Sequence, residues 1–420
     1  VVAGTGLSGG GTSGDVTLNV DLISKQGGTN FTNSLLVGTS STGTLDSATG
    51  NTGVGTGVFG ALTSGDNNVA MGLNALDLNT TGSSNTAVGV ESLCKNTTGA
   101  SNVALGRYAL SENTTADNNV AIGRSSLSVN TTGTSNVAVG KDALGANTTA
   151  DNNTSVGFDS LQANTTGSEN TAVGGSALDA NTTGCQNTAV GRLSMFTNTE
   201  GCQNVAMGRQ SLYSNTTGDC NIALGYNSLH DNTTANDNIG VGTHALFANT
   251  TGTENSAVGK CALAANTTAS YNTAVGFESL HDNTTGPDNT AFGDSALHKN
   301  TTGACNVSVG SYSLLTNTTG ASNTATGRSA LQANTEGASN VAMGRNSLTA
   351  NTTADFNVAV GSFSLAANTT GTLNTGLGQQ ALAANTTADN NTAVGSLSLL
   401  ANTTGCKNTA VGKGALTANT

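Results

Sequence analysis

Residues 170–186 read NTAVGGSALDANTTGCQ, and the next seventeen, 187–203, read NTAVGRLSMFTNTEGCQ. Aligned on the opening Asn, the two stretches share Asn at position 1, Gly at 5, Asn at 12 and Thr at 13. The same frame, N-[TVIS]-[ASG]-[hydrophobic]-G-x-x-[AS]-L-x-x-N-T-[TE]-[GA]-x-x, runs from Asn68 without insertion or deletion. It makes twenty complete repeats through Lys407 and a truncated one from Asn408, covering 353 of the 420 residues. Position 5 is always Gly, as at Gly72, Gly89, Gly106 and Gly191; position 9 is Leu, as at Leu76 and Leu178, except at Met195; position 12 is always Asn, as at Asn79, Asn96 and Asn113. Self-similarity at one fixed period is the mark of a repeat architecture, in which each unit buries its apolar face only against its neighbours.

A helix is a poor reading of the unit, because a Gly and two Asn recur in every seventeen residues and each weakens a helix interior. In N-T-A-V-G, positions 2 and 4 share one face of a short strand, and the Gly after them permits a turn. Their apolar character predicts that they point inward, and Leu at position 9 gives a second inward anchor, so Val190 and Leu178 are the expected core residues, with Thr326 the polar exception at position 4. The N-T-T-G stretch has turn chemistry, since Asn tolerates left-handed backbone and bonds nearby amides. The fold predicted is therefore all-β, a parallel β-solenoid (β-roll) of 17-residue coils. At an inter-strand spacing of about 4.8 Å, 21 such units make a thin rod about 100 Å long. A degenerate unit from Asn51 and a looser one near Asn33 read as capping repeats. The organisation expected is an N-terminal connector at 1–32, caps at 33–67 and the repeat shaft at 68–420.

Composition agrees with a structural role. Aromatics are 3%, Trp is absent and charged residues are 9%, too little bulk for an ordinary globular enzyme. The net charge of −12, without a Lys/Arg cluster, argues against nucleic acid. No apolar run approaches the roughly 18 residues of a membrane span. The chain opens at Val1 and stops inside a repeat, which reads as a segment of something longer.

The strand motif NTAVG with its position-8 Ala/Ser resembles the head repeats of YadA-like trimeric autotransporter adhesins, though the repeat here is longer. Runs of NTAVGxxALxANTTGxx resemble those of phage and bacterial tail-fibre-domain proteins, and the opening AGTGLSGGGTSGDVTLNVD resembles segments of phage tail fibres. The resemblance implies a homotrimeric, non-enzymatic fibre shaft, extracellular on a virion or a cell surface, that projects a receptor-binding tip. Its implied partners are its own copies, tip and attachment domains outside this segment, and a cell-surface glycan or protein receptor. A self-assembling extracellular filament is the alternative. Small residues at position 8, weakly covered by a single chain, are a further reason to expect trimers.

The residues that usually carry chemistry fall at variable positions, and no cofactor, metal or catalytic residue is predicted. His230, His281 and His298 occupy position 10 and His244 position 7; only His281 and His298 lie on adjacent coils, fewer ligands than a zinc site takes. Carboxylates are scattered, with no recurring pair of the kind glycosidases need. The Gly-rich LSGGGTSG has neither the Lys-Ser/Thr nor the βαβ setting of a phosphate loop. The Cys residues are Cys94, Cys185, Cys202, Cys220, Cys261, Cys305 and Cys406, and only Cys185 and Cys202 share position 16 on neighbouring coils, within disulfide reach if the coils stack. Asn-Thr-Thr is also a glycosylation sequon, from Asn79 and Asn96 through to Asn402. Asn198-Thr199-Glu200 and Asn334-Thr335-Glu336 keep the Asn while losing the sequon, which favours an amide ladder and turn over a glycan. A Thr column at position 13 matches an ice-binding face only in part, because positions 13 and 14 point to opposite sides.

Overall fold

A computed structural model describes residues 7–8, 19–20, 23–26, 29–38 and 42–419. Most of the 1–32 segment, with nearly all of the Gly-rich stretch read as a turn, lies outside these residues. Every regular element among them is a strand of two to four residues, and the chain is a parallel β-solenoid of about 22 coils of roughly 17 residues. It divides into two compact units, Val1–Cys202 and Gln203–Thr420.

Each coil contributes one three-residue strand at positions 2–4, paired in parallel with the same positions one repeat away. In the first unit Ala104 of Val103–Leu105 lies opposite Ala87 and Ala121. In the second, Ala274 of Thr273–Val275 lies opposite Ala257 and Ala291. The turn segments stack as well: the Leu110 amide donates to Ser126 O at 3.0 Å, the Thr97 amide to Thr114 O at 2.8 Å and the Tyr108 amide to Val90 O at 3.0 Å. The backbone polar groups that a tight coil cannot pair within itself are thus satisfied along the stack.

The strand faces the opposite way from the sequence expectation. Position 3 points inward, with Ala87, Ala104 and Ala189 fully buried, while positions 2 and 4 point out and Val190 is only half-buried. The reason is the width of the coil. Leu at position 9, buried at Leu76 and Leu178, and the position-8 Ala or Ser, buried at Ala75, Ser92 and Ala109, already fill the interior. Only Gly, Ala or a hydrogen-bonded Ser fits opposite them. Ser155 at position 3 fits because its hydroxyl donates to Ser160 O at 2.8 Å, and at Gly240 an added Cβ would lie 2.5 Å from Ser228 Oγ. Thr326 is no exception once position 4 is an outer position. Position 8 is covered by its own chain, so it gives no reason for trimers.

Left-handed backbone bends the coil at four positions, the position-5 Gly, position 9 and, as at Glu91 and Ser84, positions 7 and 17. Gly106 has φ of 139°, and a Cβ there would sit 2.5 Å from Gly123 O of the next coil; conformation and contact both demand Gly. Leu76 and Leu178 at position 9 each have φ of 51°. A left-handed conformation costs an L-residue about 1–2 kcal/mol, comparable to the roughly 1.5–3 kcal/mol from burying a Leu side chain.

The 33–67 region ends the stack with modified versions of the same columns. Phe59 replaces Leu at position 9 with φ of 58° and is fully buried, and Leu62 stands where later coils carry the position-12 Asn. Ser34 substitutes for the position-1 Asn, its Oγ accepting from the Asn51 amide at 2.9 Å. The strand Ile23–Gln26 pairs antiparallel with Leu35–Val37, covering the edge that a parallel stack would otherwise leave open.

Candidate functional site

Because the coils stack in register, each repeat position becomes a column of side chains. Two columns are Asn ladders. At position 12, Asn96 Nδ2 donates to Asn79 Oδ1 and Asn113 Nδ2 to Asn96 Oδ1, each at 2.8 Å. Each of these amides also donates within its own coil, Asn79 Nδ2 to Gly82 O at 2.9 Å and Asn96 Nδ2 to Gly99 O at 2.8 Å. The side chains are fully buried, Asn402 among them. Asn198 and Asn334, which lack the sequon, make the same 2.8 Å bonds to Asn181 and Asn317.

The second ladder, which the sequence expectation does not include, is at position 1. Asn68 Oδ1 accepts from the Asn85 amide at 2.9 Å, and Asn85 Nδ2 reaches Gly99 O at 2.8 Å. Each position-15 carbonyl therefore receives two side-chain amides. This crowding explains why position 15 is only Gly or Ala: a Cβ on Gly82 would stand 2.4 Å from Asn79 Oδ1. Where Ala116 occupies the place, the next ladder bond, from Asn130 to Asn113, lengthens to 3.2 Å. The signal for the second ladder was present in the sequence, since position 1 is Asn in every unit.

The Thr column at position 13 is also internal to the stack, Thr97 Oγ1 donating to Thr114 O at 3.0 Å. Its hydroxyls are turned along the coils instead of forming a flat outer array.

At position 16 the structure brings Cys185 and Cys202 together as thiols, with Sγ atoms 2.8 Å apart and the Cys185 amide 3.0 Å from Cys202 Sγ. Closing this gap to the roughly 2.0 Å of a disulfide asks for little movement. Oxidation by glutathione disulfide, which takes up the two thiol hydrogens as two glutathione thiols, is expected to join them. Peptide mapping should then recover a crosslinked peptide carrying both residues; recovery of both only as separate thiols under conditions that oxidise exposed cysteines would refute the pairing.

At position 10 the His residues belong to a set of stacked rings. Tyr213 and His230 stack at 5.0 Å between centroids, His230 and Phe247 at 5.2 Å, and His281 and His298 at 5.1 Å. Among the described residues no group of three or more His, Cys, Asp or Glu is placed to hold a metal ion; His281 Nδ1 instead meets Asp282 Oδ1 at 2.6 Å, and His298 Nε2 meets Glu278 Oε2 at 3.3 Å. Asp159 and Asp179 each keep one buried oxygen without a hydrogen-bond partner, and burial raises both above the ordinary carboxylate range, Asp179 further so through Asp159.

The outer face of the sheet is the remaining large feature. Positions 2 and 4 leave Val69, Met71 and Leu105 exposed in the first unit, and Met207, Phe292 and Val309 in the second. Within each unit the position-4 side chains line up as a column that is apolar except at Thr326, beside a position-2 column in which Val and Ile are mixed with Thr and Ser256. No family model, no curated protein and no solved structure matches the chain.

Proposed function

We propose that this chain is a non-enzymatic fibre shaft, of a phage tail fibre or a cell-surface adhesin, whose copies associate as a homotrimer through the outer sheet face. The observation that carries this reading is the apolar outer face. A contiguous exposed patch larger than a few hundred Å² marks an interaction site, and Met207 at 45% and Phe292 at 42% exposure belong to a column that recurs coil after coil. The invariant residues support the same conclusion. Gly at position 5 shapes the coil, Leu at 9 fills it, and Asn at 1 and 12 tie it to its neighbours, so what is most regular in the sequence is used in architecture. Summed over many coils, even modest burial per strand reaches the 2,000 Å² or more of an obligate interface. In this reading the shaft holds a receptor-binding tip away from its base.

Light scattering on the purified chain tests the association. The expected result is one species of three times the 41.2 kDa chain mass, unchanged on dilution. A monomer stable to dilution overturns the trimer, and open-ended growth with concentration would replace it with the filament.

A further inference from the structure

Between residues 204 and 305 there are six coils, and five of them carry a ring at position 10: Tyr213, His230, Phe247, His281 and His298. The sixth carries Ala264. Along the occupied steps the rings are close to parallel, 6° between Tyr213 and His230, 21° between His230 and Phe247, and 7° between His281 and His298. At the vacant step a cleft of about 240 Å³ opens, lined by Phe247, Ala264 and His281 with His244 and Cys261 beside them. From this interrupted ladder we infer that the cleft over Ala264 is a binding slot for one planar aromatic ring of a small molecule, between benzene and indole in size.

The spacing supplies the first argument. Phe247 and His281 are separated by two coil steps of about 5 Å, so a ring midway would meet each at a centroid distance within the 4.5–7 Å range of favourable aromatic pairs. The ligand would complete a pattern that the protein's own side chains already establish above and below it.

Rigidity supplies the second. Phe247 is backed by His230 and met edge-on by His244 at 5.3 Å and 86°. His281 is backed by His298, and its Nδ1 is tied to Asp282. Neither wall needs to reorganise on binding, which removes one of the main costs of association.

The chemistry of the lining supplies the third. The floor is a methyl group, one wall is a hydrocarbon ring, and burial holds the Cys261 thiol above its usual range and so neutral. The volume exceeds the roughly 150 Å³ in which an apolar cavity holds benzene. A pyranose of similar size would have to bring its hydroxyls against the Phe247 face and the Ala264 floor, leaving polar groups buried without partners.

The test uses the full chain and indole as probe, followed by saturation-transfer NMR and calorimetric titration. Wild type is expected to show saturable binding, and Ala264→Phe, which fills the vacant rung with a ring already present in this column, to weaken it at least about tenfold, a change of about 1.4 kcal/mol. Ala366→Phe, at position 10 of a coil outside the ring ladder, should leave binding unchanged, and Phe247→Ala should weaken it by removing a wall. If Ala264→Phe fails to keep the wild-type melting curve, Ala264→His offers a smaller ring for the same comparison. Equal indole binding by wild type and the filled variant, no saturable binding by wild type, or tighter binding of methyl glucoside than of indole would each overturn the proposal.

Discussion

Ala189→Asp is expected to destabilise the coils around it by about 3–5 kcal/mol, whereas Val190→Asp, one residue along, should leave the melting of the isolated chain nearly unchanged. Ala189 is fully buried and stands opposite Ala172 in the parallel ladder. A carboxylate there has no water, no cation and no space, since the Leu column already occupies the interior. Val190 is half-buried on the outer face, where a carboxylate keeps much of its hydration. The second substitution acts elsewhere. It places a charge of one sign in the same apolar column of every associating copy, so light scattering on Val190→Asp should show a smaller species than wild type, with melting lowered only by what association contributes. A double variant carrying both substitutions, compared with Val190→Asp alone so that both are dissociated, decides the matter, and equal melting of the two would mean that the strand faces the other way.

That pair of residues also shows how far the sequence could be read. The coil length, the all-β class and the parallel stacking were legible because Gly at position 5, Leu at 9 and Asn at 12 recur without a break, and few structures other than a stack of coils require such regularity. The direction of the strand was not legible. A period of two says that Thr188 and Val190 share a face and that Ala189 has the other, but it does not say which face is inside. Hydrophobicity favoured Val, whereas the narrow coil favoured the smallest side chain, and the volume taken by Leu178 is visible only once the coil is closed. The left-handed Leu residues gave no signal for a similar reason. Leu has no local preference for that conformation, which is imposed by the inter-coil bonds on either side, such as the Leu110 amide to Ser126 O. The ring ladder at position 10 was present in the sequence at seventeen-residue spacing, but its members differ in type, so searching by one residue type separated His230 from the Tyr213 and Phe247 that sandwich it.

Asn96→Leu should cost about 2–5 kcal/mol, although Leu has the same branched heavy-atom skeleton as Asn and is far more hydrophobic, because the substitution strands a buried acceptor and adds bulk at a closed site. Asn96 Nδ2 is the donor to Asn79 Oδ1, and Asn96 Oδ1 accepts from Asn113 Nδ2. Removing it leaves Asn113 with its second bond, to Ala116 O at 3.0 Å, but deprives the fully buried Asn79 Oδ1 of that donor. The natural Leu62 shows where the same residue is tolerated. It precedes Asn79 in the column, at the end of the ladder, and there the missing neighbour costs Asn79 only an additional acceptor for an Nδ2 already bonded to Gly82 O at 2.9 Å. The direction of the amide chain thus makes Leu acceptable at the first rung and destabilising at an inner one. The same burial bears on glycosylation, since an Nδ2 enclosed between two acceptors has no room for a sugar once the coils have stacked. Chain produced in a glycosylating host is therefore expected to keep the bare polypeptide mass, and hexose-bearing increments on most Asn-Thr-Thr sites would contradict the ladder, as would an Asn96→Leu variant that unfolds with the wild type.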